Sequence, residues 1–211
     1  MVPAGNVCLA LPAPCGTYYF AQGKDGMVVM KWKILSSEYL FNDLWFKVRK
    51  DRCQKPDGGI VDPYYVYEFP TWVTALALTE DGKIILERQY RHAIDDICIE
   101  IPGGCVDDTD KSLEDAIARE LLEETGYTFS SYEYLGKISA NPSTNSNLMH
   151  MFLAKGGKKT GDQNLDANEE ILVDLVTVDE LKAMIRENKI VQAMHITCML
   201  YGLEKLGELS Y

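Results

Sequence analysis

Histidine is scarce in this sequence, and its cysteines are not arranged in pairs. Among 211 residues there are three histidines and six cysteines, with no Cys-x-x-Cys spacing. A structural zinc site usually needs paired ligands at short spacing, so this pattern argues against zinc. We expect separate reduced thiols and a cytoplasmic location, because reduced cysteines are the rule in that compartment.

Basic residues and long apolar runs are also in short supply. The chain carries 21 basic and 32 acidic residues, a formal net charge of -11. Nucleic-acid binding relies on basic side chains that neutralise phosphates, so no nucleic-acid partner is expected. No apolar run approaches the roughly 20 residues that span a bilayer, so no membrane partner is expected either. Such an acidic protein repels anionic substrates unless a cation intervenes.

What remains is the composition of a globular protein, with 46% hydrophobic and 25% charged residues. The length suits one domain with a small appendage. The predicted elements run in the order strands, helix, strands, helices, which favours an α+β sandwich over a doubly wound parallel sheet. Strands are predicted at 32–35, 44–48, 64–69, 72–78, 83–89, 97–101, 132–139, 148–153 and 171–176, and helices at 112–125, 178–187 and 191–206.

The clearest helix carries three carboxylates on one stripe. Ser112 is a suitable N-cap and Gly126 a suitable C-terminal stop. Glu120, Glu123 and Glu124 stand at i, i+3 and i+4, within an arc of about 100°. Their mutual repulsion has no lysine to offset it, and a hard divalent cation such as Mg²⁺ is the simplest compensation. The alternative is a solvated acidic helix face.

The segment 119–127, Arg-Glu-Leu-Leu-Glu-Glu-Thr-Gly-Tyr, resembles the second half of the Nudix (MutT-like) hydrolase box at every fixed position. That box reads Gly-x5-Glu-x7-Arg-Glu-U-x-Glu-Glu-x-Gly-U, where U is bulky and apolar. The first half departs from it. Counting back from Arg119, Lys111 takes the place of the first Glu and Cys105 that of the Gly. A loop one residue longer would realign Gly104, with Asp110 in place of the missing Glu.

The resemblance extends beyond the box. Gln89-Tyr90-Arg91 and Glu100-Ile101-Pro102-Gly103-Gly104 are similar to the subgroup of ADP-ribose and nucleotide-sugar pyrophosphatases. This implies a Nudix-type α/β/α sandwich with a mixed sheet, preceded by a small antiparallel β region. The implied organisation is an N-terminal extension at 1–29, a β-rich dimerisation region at 30–70 and a Nudix hydrolase domain at 71–211.

The resemblance also implies roles for residues of this chain. Arg119 would orient the carboxylates, Arg91 would clamp a diphosphate, and Glu170 or its neighbour Glu169 would be a loop general base. Trp45 would either stack on a base across a dimer or pack in the core. The implied metal ligands, for Mg²⁺ or alternatively Mn²⁺, are the Gly103 carbonyl, Glu120, Glu123 and Glu124.

The implied reaction is Mg²⁺-dependent hydrolysis of a nucleoside diphosphate linked to another moiety, giving two monophosphates, in a homodimer that binds a small nucleotide. Two alternatives stay open: a nucleoside triphosphate pyrophosphohydrolase and a non-catalytic Nudix-fold ligand sensor. Two weaker signals are set aside. The run 156–160 fails the P-loop spacing, and His150 and His195 are expected to be structural.

Overall fold

The structure is a computed structural model that describes residues 31–209. The predicted extension at 1–29 lies outside these residues. The described chain begins with a three-stranded antiparallel sheet in which the middle strand pairs with both neighbours. Its strands are β1 (Lys33–Asn42), β2 (Lys47–Gln54) and β3 (Ile60–Glu68).

A mixed sheet of eight strands forms the centre of the rest of the chain. Its main path runs β11-β5-β4-β10-β8; β6 pairs with β5, β7 with β4, and β9 with β10. The neighbours β4 and β10 are parallel, whereas the other pairs are antiparallel. The strands are β4 (Trp72–Thr79), β5 (Ile84–Arg91), β6 (Asp96–Glu100), β7 (Gly103–Cys105), β8 (Tyr127–Thr128), β9 (Ser131–Ile138), β10 (Met149–Lys159) and β11 (Ile171–Val176).

Helices cover both faces of this sheet. One apolar cluster joins the sheet to α1 (Leu113–Thr125), and a second joins its other face to α2 (Val178–Arg186) and α3 (Ala193–Lys205). The layers therefore confirm the expected α/β/α sandwich with a mixed sheet and a preceding antiparallel β region. No helix in the part of the chain that the structure describes is long and apolar enough to cross a membrane.

The sequence encodes the position of α1 through its ends and its buried face. Ser112 accepts a hydrogen bond from the Asp115 N–H, and Gly126 ends the helix in the left-handed conformation at φ 77°. Ala116, Ile117 and Leu121 are fully buried against the sheet. This packing fixes the rotation of the helix and so fixes where its acidic stripe points.

Two strands share one edge of β4. At its end, β4 pairs with β5 through Leu78 and Ile84; at its start, it pairs with β7 through Thr74 and Gly103. Between them, the Ala75 N–H donates to the carbonyl of Pro102. Along this edge of β4, β5 is therefore the partner at one end and β7 is the partner at the other end.

Candidate active site

A cavity with a volume of about 900 Å³ lies where these elements meet. Its size suits a small-molecule ligand. It is bounded by α1, β7, a loop before β11, the start of α3 and one residue of the N-terminal sheet region. Its lining includes Trp45, Arg91, Gly103, Gly104, Cys105, Arg119, Glu120, Glu123, Glu124, Asp166, Glu169 and His195.

The two glycines of β7 seat two of the carboxylates. The Gly103 N–H donates to Oε2 of Glu124 at 2.8 Å. Gly103 has φ 156°, and a Cβ there would come within 2.3 Å of the Val73 carbonyl oxygen. At Gly104 a Cβ would lie 2.5 Å from Oε1 of Glu120. The absence of both side chains lets the helix carboxylates approach the backbone of β7 closely.

Arg119 connects the acidic stripe to the loop before the helix. Its Nη1 donates to Glu120 and Glu123, each at 3.0 Å, and its Nη2 donates to the Cys105 carbonyl at 2.9 Å. Nε and Nη2 donate to the two carboxylate oxygens of Asp110 at 3.1 and 2.9 Å. Arg119 therefore restrains the carboxylates of the stripe from one side.

The longer loop of the box thus brings Asp110, and not Lys111, to Arg119. The Asp110 side chain is almost fully buried, and it also accepts from the Asp107 N–H at 2.8 Å. Hydrogen bonding to Arg119 lowers the pKa of Asp110, so this carboxylate is charged at neutral pH. Lys111 is exposed.

Burial makes Glu120 and Glu124 costly to ionise. It raises the pKa of Glu120 to about 7, against an opposing contribution from Arg119. Burial also raises the pKa of Glu124, and repulsion from Glu87 and Glu120 adds to the effect. A cation in the cavity would relieve this repulsion, which is what a divalent metal does in an acidic site.

The residues present fit a hydrated cation better than a closed protein cage. Within residues 31–209 no three His, Cys, Asp or Glu side chains converge into a ready-made metal cluster. The ion pairs of Arg119 account for this, because they draw Glu120 and Glu123 towards the guanidinium. Mg²⁺ is usually bound by one or two carboxylates while it keeps several waters, so it needs no such cluster.

Arg91 reaches the cavity from β5 in a two-pronged pair with Glu100. Nε and Nη2 of Arg91 donate to the carboxylate at 3.0 and 2.5 Å. Glu100 is buried, whereas the Arg91 side chain is 44% exposed. The buried carboxylate therefore orients a guanidinium that still presents its open side to a ligand.

His195 lies behind this pair and is uncharged. Its Nδ1 accepts from the Ile101 N–H at 3.4 Å and stands 3.7 Å from Oε2 of Glu100. Complete burial lowers the pKa of His195 to about 4, even though Glu100 opposes this. The contact with Glu100 is therefore not an ion pair at neutral pH. Away from the cavity, Nδ1 of His150 lies 2.9 Å from the Tyr134 hydroxyl.

Of the remaining predicted residues, Trp45 and Glu169 line the cavity and Glu170 does not. Trp45 is 63% exposed and lines the cavity of its own chain, so the expectation that it packs in the core is wrong. Glu169 is half-buried and lines the cavity, whereas Glu170 is exposed and does not. The Asp166 N–H donates to Glu169 at 3.0 Å, which ties this carboxylate to its own loop.

The model of the NUDIX domain matches residues 69–194, which include every residue described above on β4–β7 and α1. The chain belongs to the Nudix family. A second model, the nucleoside diphosphate sugar hydrolase N-terminal domain, matches residues 32–67 of this Nudix hydrolase. The two matches follow one another along the chain in the same order as the two sheets.

Relatives of this Nudix hydrolase differ in the functions that their names give. Over 170 residues it is 28% identical to the methanol dehydrogenase activator of Bacillus methanolicus, covering 80% of this chain and 91% of that protein. Over 130 residues it is 31% identical to the ADP-ribose pyrophosphatase of Mycobacterium tuberculosis, covering 62% of each. Over 168 residues it is 26% identical to the ADP-ribose pyrophosphatase of Bacillus subtilis, covering 79% and 90%.

A solved structure shares the fold. The crystal structure of an ADP compounds hydrolase superposes with a TM-score of 0.74 at 21% identity, covering 87% of this chain and all of that one. At this identity the likeness supports the architecture described above for the Nudix hydrolase.

Sequence reasoning missed two buried glutamates that lie next to this Nudix site without lining its cavity. Glu100 entered only as part of a motif and not as the partner of Arg91, and Glu87 was not singled out. Both are buried, and they are register partners on β5 and β6. The available signal was position in the strand, because Glu87 directly follows three apolar residues, Ile84, Ile85 and Leu86, which are all buried.

Proposed function

We propose that the chain hydrolyses the pyrophosphate bond of a nucleoside diphosphate linked to another moiety, of the ADP-ribose or nucleotide-sugar type. The products would be two monophosphates. The observation that carries the proposal is a cavity lined by three helix carboxylates and by Arg91. The N-terminal match to a nucleoside diphosphate sugar hydrolase domain and the relatives named ADP-ribose pyrophosphatase support this substrate class.

Glu120 and Glu124 would hold the divalent cation together with the carbonyl of Gly103, and Glu123 would share a second ion or a water. Mg²⁺ is the proposed ion and Mn²⁺ the alternative, because both accept oxygen ligands. A bound ion of this kind lowers the pKa of a water and neutralises charge on phosphoryl oxygens. The two carboxylates seated against Gly103 and Gly104 support this assignment.

The protein's own groups would position the substrate and move a proton. Arg91 would bind the diphosphate, since a guanidinium matches phosphate oxygens in a fork and Glu100 already orients it. Trp45 would stack on the base. We prefer Glu169 to Glu170 as general base, because only Glu169 lines the cavity. It would take a proton from the attacking water as the water oxygen bonds to one phosphorus and the other phosphate departs.

The N-terminal sheet would join two copies of the chain into a homodimer. Leu44 is 81% exposed and Trp45 63%, and such a concentration of exposed apolar groups is typical of an interface. Further exposed apolar side chains of this sheet are Ile34, Leu35, Tyr39, Leu40, Phe41, Ile60, Tyr65 and Tyr67. The proposed organisation keeps 30–70 as the dimerisation region and 71–211 as the hydrolase domain, and the cytoplasmic location stays a prediction.

A substrate panel tests the proposal. The protein would be incubated with Mg²⁺ and ADP-ribose, sugar nucleotides, dinucleotide polyphosphates or nucleoside triphosphates, and products identified by chromatography. We expect ADP-ribose or a sugar nucleotide to give a nucleoside monophosphate and a sugar phosphate. Glu124→Gln should lower kcat at least about 100-fold, and the exposed Glu204→Gln, on α3, should not.

Two results would overturn this assignment. A clear preference for nucleoside triphosphates would favour the triphosphate pyrophosphohydrolase. Tight binding of a nucleotide without turnover of any compound would favour the ligand sensor. A Glu124→Gln variant with most of its activity intact would remove that residue from the proposed metal site.

A further inference from the structure

The loop before β11 forms one wall of the cavity. Its residues 160–170 belong to no helix or strand, and four of them line the cavity: Asn164, Asp166, Asn168 and Glu169. Glu169 is the proposed general base, and such a group must lie within hydrogen-bond reach of the proton that it takes. The contacts that hold this loop therefore decide where the base stands.

The start of the loop is bound to the end of α1. The last carbonyl groups of a helix lack partners within the helix. Here the Asn164 N–H donates to the carbonyl of Glu123 at 2.8 Å, and the Thr160 N–H donates to the carbonyl of Gly126 at 2.9 Å. The loop therefore starts from the helix that carries the acidic stripe.

Gln163 adds a side chain to this attachment. Its Nε2 donates to the carbonyl of Glu124 at 2.6 Å and to the carbonyl of Ile171 at 3.2 Å. A side-chain amide has two N–H bonds to donate, and Gln163 uses both of them. Ile171 is the first residue of β11. One side chain thus joins the beginning of the loop to its end, and both of them to α1.

The second of these bonds does more than cap the helix. A side chain that only capped α1 would need the bond to Glu124 alone. The bond to Ile171 instead closes the segment 163–171, and fixing the ends of a loop reduces the conformations that are open to the residues between them.

Within the loop, Glu169 is held by its own turn. The Glu169 N–H donates to the Asp166 carbonyl at 2.9 Å, and the Asp166 N–H donates to Oε2 of Glu169 at 3.0 Å. These bonds fix Glu169 relative to Asp166, but not relative to α1. The position of Glu169 in the cavity therefore depends on the ends of the loop, which Gln163 brings together.

We propose that Gln163 is a positioning residue, which holds the loop and its Glu169 carboxylate against the cavity by bonding both ends of the loop at once. This inference rests on the proposed function, because it takes Glu169 as the general base. It assigns a role to a side chain that does not touch the substrate.

Steady-state hydrolysis of ADP-ribose tests the inference. Gln163→Met keeps the length of the side chain but has no N–H to donate. We expect it to lower kcat about 10- to 100-fold, as a small misplacement of a catalytic group does. KM should change less than about threefold, because Glu169 is assigned to move a proton and not to bind the substrate. Gln163→Lys, which can still donate, should recover part of the lost kcat.

Gln54→Met is the matched control. Nε2 of Gln54 also donates to a backbone carbonyl, that of Gly58, at 3.4 Å, but in the N-terminal sheet region. Its removal should leave kcat and KM within about twofold of the wild type.

A double-mutant cycle with Glu169 separates this role from a purely structural one. If Gln163 acts through Glu169, Gln163→Met should cost almost nothing further in a Glu169→Gln background, because the group that it positions is already gone. A structural contribution would lower kcat by the same factor in both backgrounds. Should Gln163→Met fail to fold, Gln163→Ala takes its place in the cycle.

Three results would overturn the inference. An unchanged kcat in Gln163→Met would do so, and so would equal losses in the two backgrounds. In both cases an active wild type and an impaired Glu169→Gln variant would leave the proposed function intact. A wild type that hydrolyses no compound of the substrate panel would refute the proposed function, and the inference with it.

Discussion

This chain departs from the first half of the Nudix box in the loop before α1, and we predict that Asp110 of this loop takes the place of the box glutamate. The structure pairs Arg119 with Asp110 through two hydrogen bonds, while Lys111 is exposed. Counting residues back from Arg119 would instead give Lys111 the position of the box glutamate. Replacing each residue in turn therefore decides which of the two supports Arg119.

The structure sets the size of the expected effect. The Asp110 side chain is 5% exposed and that of Arg119 29%. Removing one partner of a fully buried ion pair costs about 3–5 kcal/mol. Because Arg119 retains some solvent, and also retains Glu120 and Glu123, we expect Asp110→Asn to lower the free energy of unfolding by about 2 kcal/mol. Lys111→Ala should change it by less than about 0.5 kcal/mol.

Urea denaturation of the two variants measures these differences, and Mn²⁺ titration measures their effect on the site. Asp110→Asn should also weaken Mn²⁺ binding, because Arg119, released from Asp110, would pair more closely with Glu120 and Glu123 and compete with the ion for them. Asp110→Glu tests the length of the loop, since it restores the charge with one extra methylene. Equal losses from Asp110→Asn and Lys111→Ala, or no loss from either, would refute the realignment of the box.

Three further predictions concern the glycines, the pH dependence and the base. Gly104→Ala should fold but bind Mn²⁺ more weakly, because its Cβ would meet only the end of the Glu120 side chain. Gly103→Ala should lower Tm sharply, because its Cβ would meet backbone atoms. Comparable losses of Tm in the two variants would contradict this. In EDTA, the free energy of unfolding measured with urea should fall as the pH rises from about 4.5 to above 7. Glu120 should account for up to about 3 kcal/mol of this loss, and Mg²⁺ should restore the lost stability. The sign follows because the folded pKa of Glu120, about 7, lies above its ordinary 4.5, so the folded state binds more protons in that window. Glu169→Gln should lower kcat far more than Glu170→Gln in a steady-state assay, and the reverse order would exclude Glu169 as base.

Local signals in the sequence were enough to define the ends of α1 and the turn between β4 and β5. Ser112 and Gly126 bound α1 as their capping preferences require. The turn around Gly82, at φ 77°, joins β4 and β5 as the Asp-Gly pair predicts. These features depend on residues within one or two turns of each other, and so they can be read without knowledge of the fold.

The N-terminal sheet was harder to delimit. Strand β2 runs through Lys-Val-Arg-Lys-Asp-Arg-Cys-Gln, and its charges hide the alternation that identifies a half-buried strand. In the structure these charges are matched across strands, as in the contacts of Lys50 with Glu38 and Arg49 with Glu68. Pairing of this kind joins residues far apart in sequence, so the predicted strands were short and displaced.

The end of β10 was also misplaced by the prediction from sequence. The prediction stopped at residue 153, but the strand continues to Lys159 through two glycines. A Cβ at Gly157 would come within 2.6 Å of the Phe129 ring. Glycine at this position allows the aromatic ring to pack closely against the strand. From composition alone, a glycine placed in a strand for this reason cannot be distinguished from a glycine in a loop.

The candidate site was also only partly predictable from the sequence, because the charges that surround its carboxylates come from residues far apart in the chain. The helix spacing predicted the carboxylate stripe and its need for a cation, since both follow from one turn of α1. Burial raises the pKa values of Glu120 and Glu124, and carboxylates distant in sequence add to it: Glu169 for both and Glu87 for Glu124. Arg119 alone cannot neutralise these groups, because Asp110 already takes two of its hydrogen bonds. Filling the cavity with a divalent ion would therefore stabilise the fold as well as prepare the chemistry, and the coupling should appear as a gain in Tm that disappears when Glu124 is made neutral.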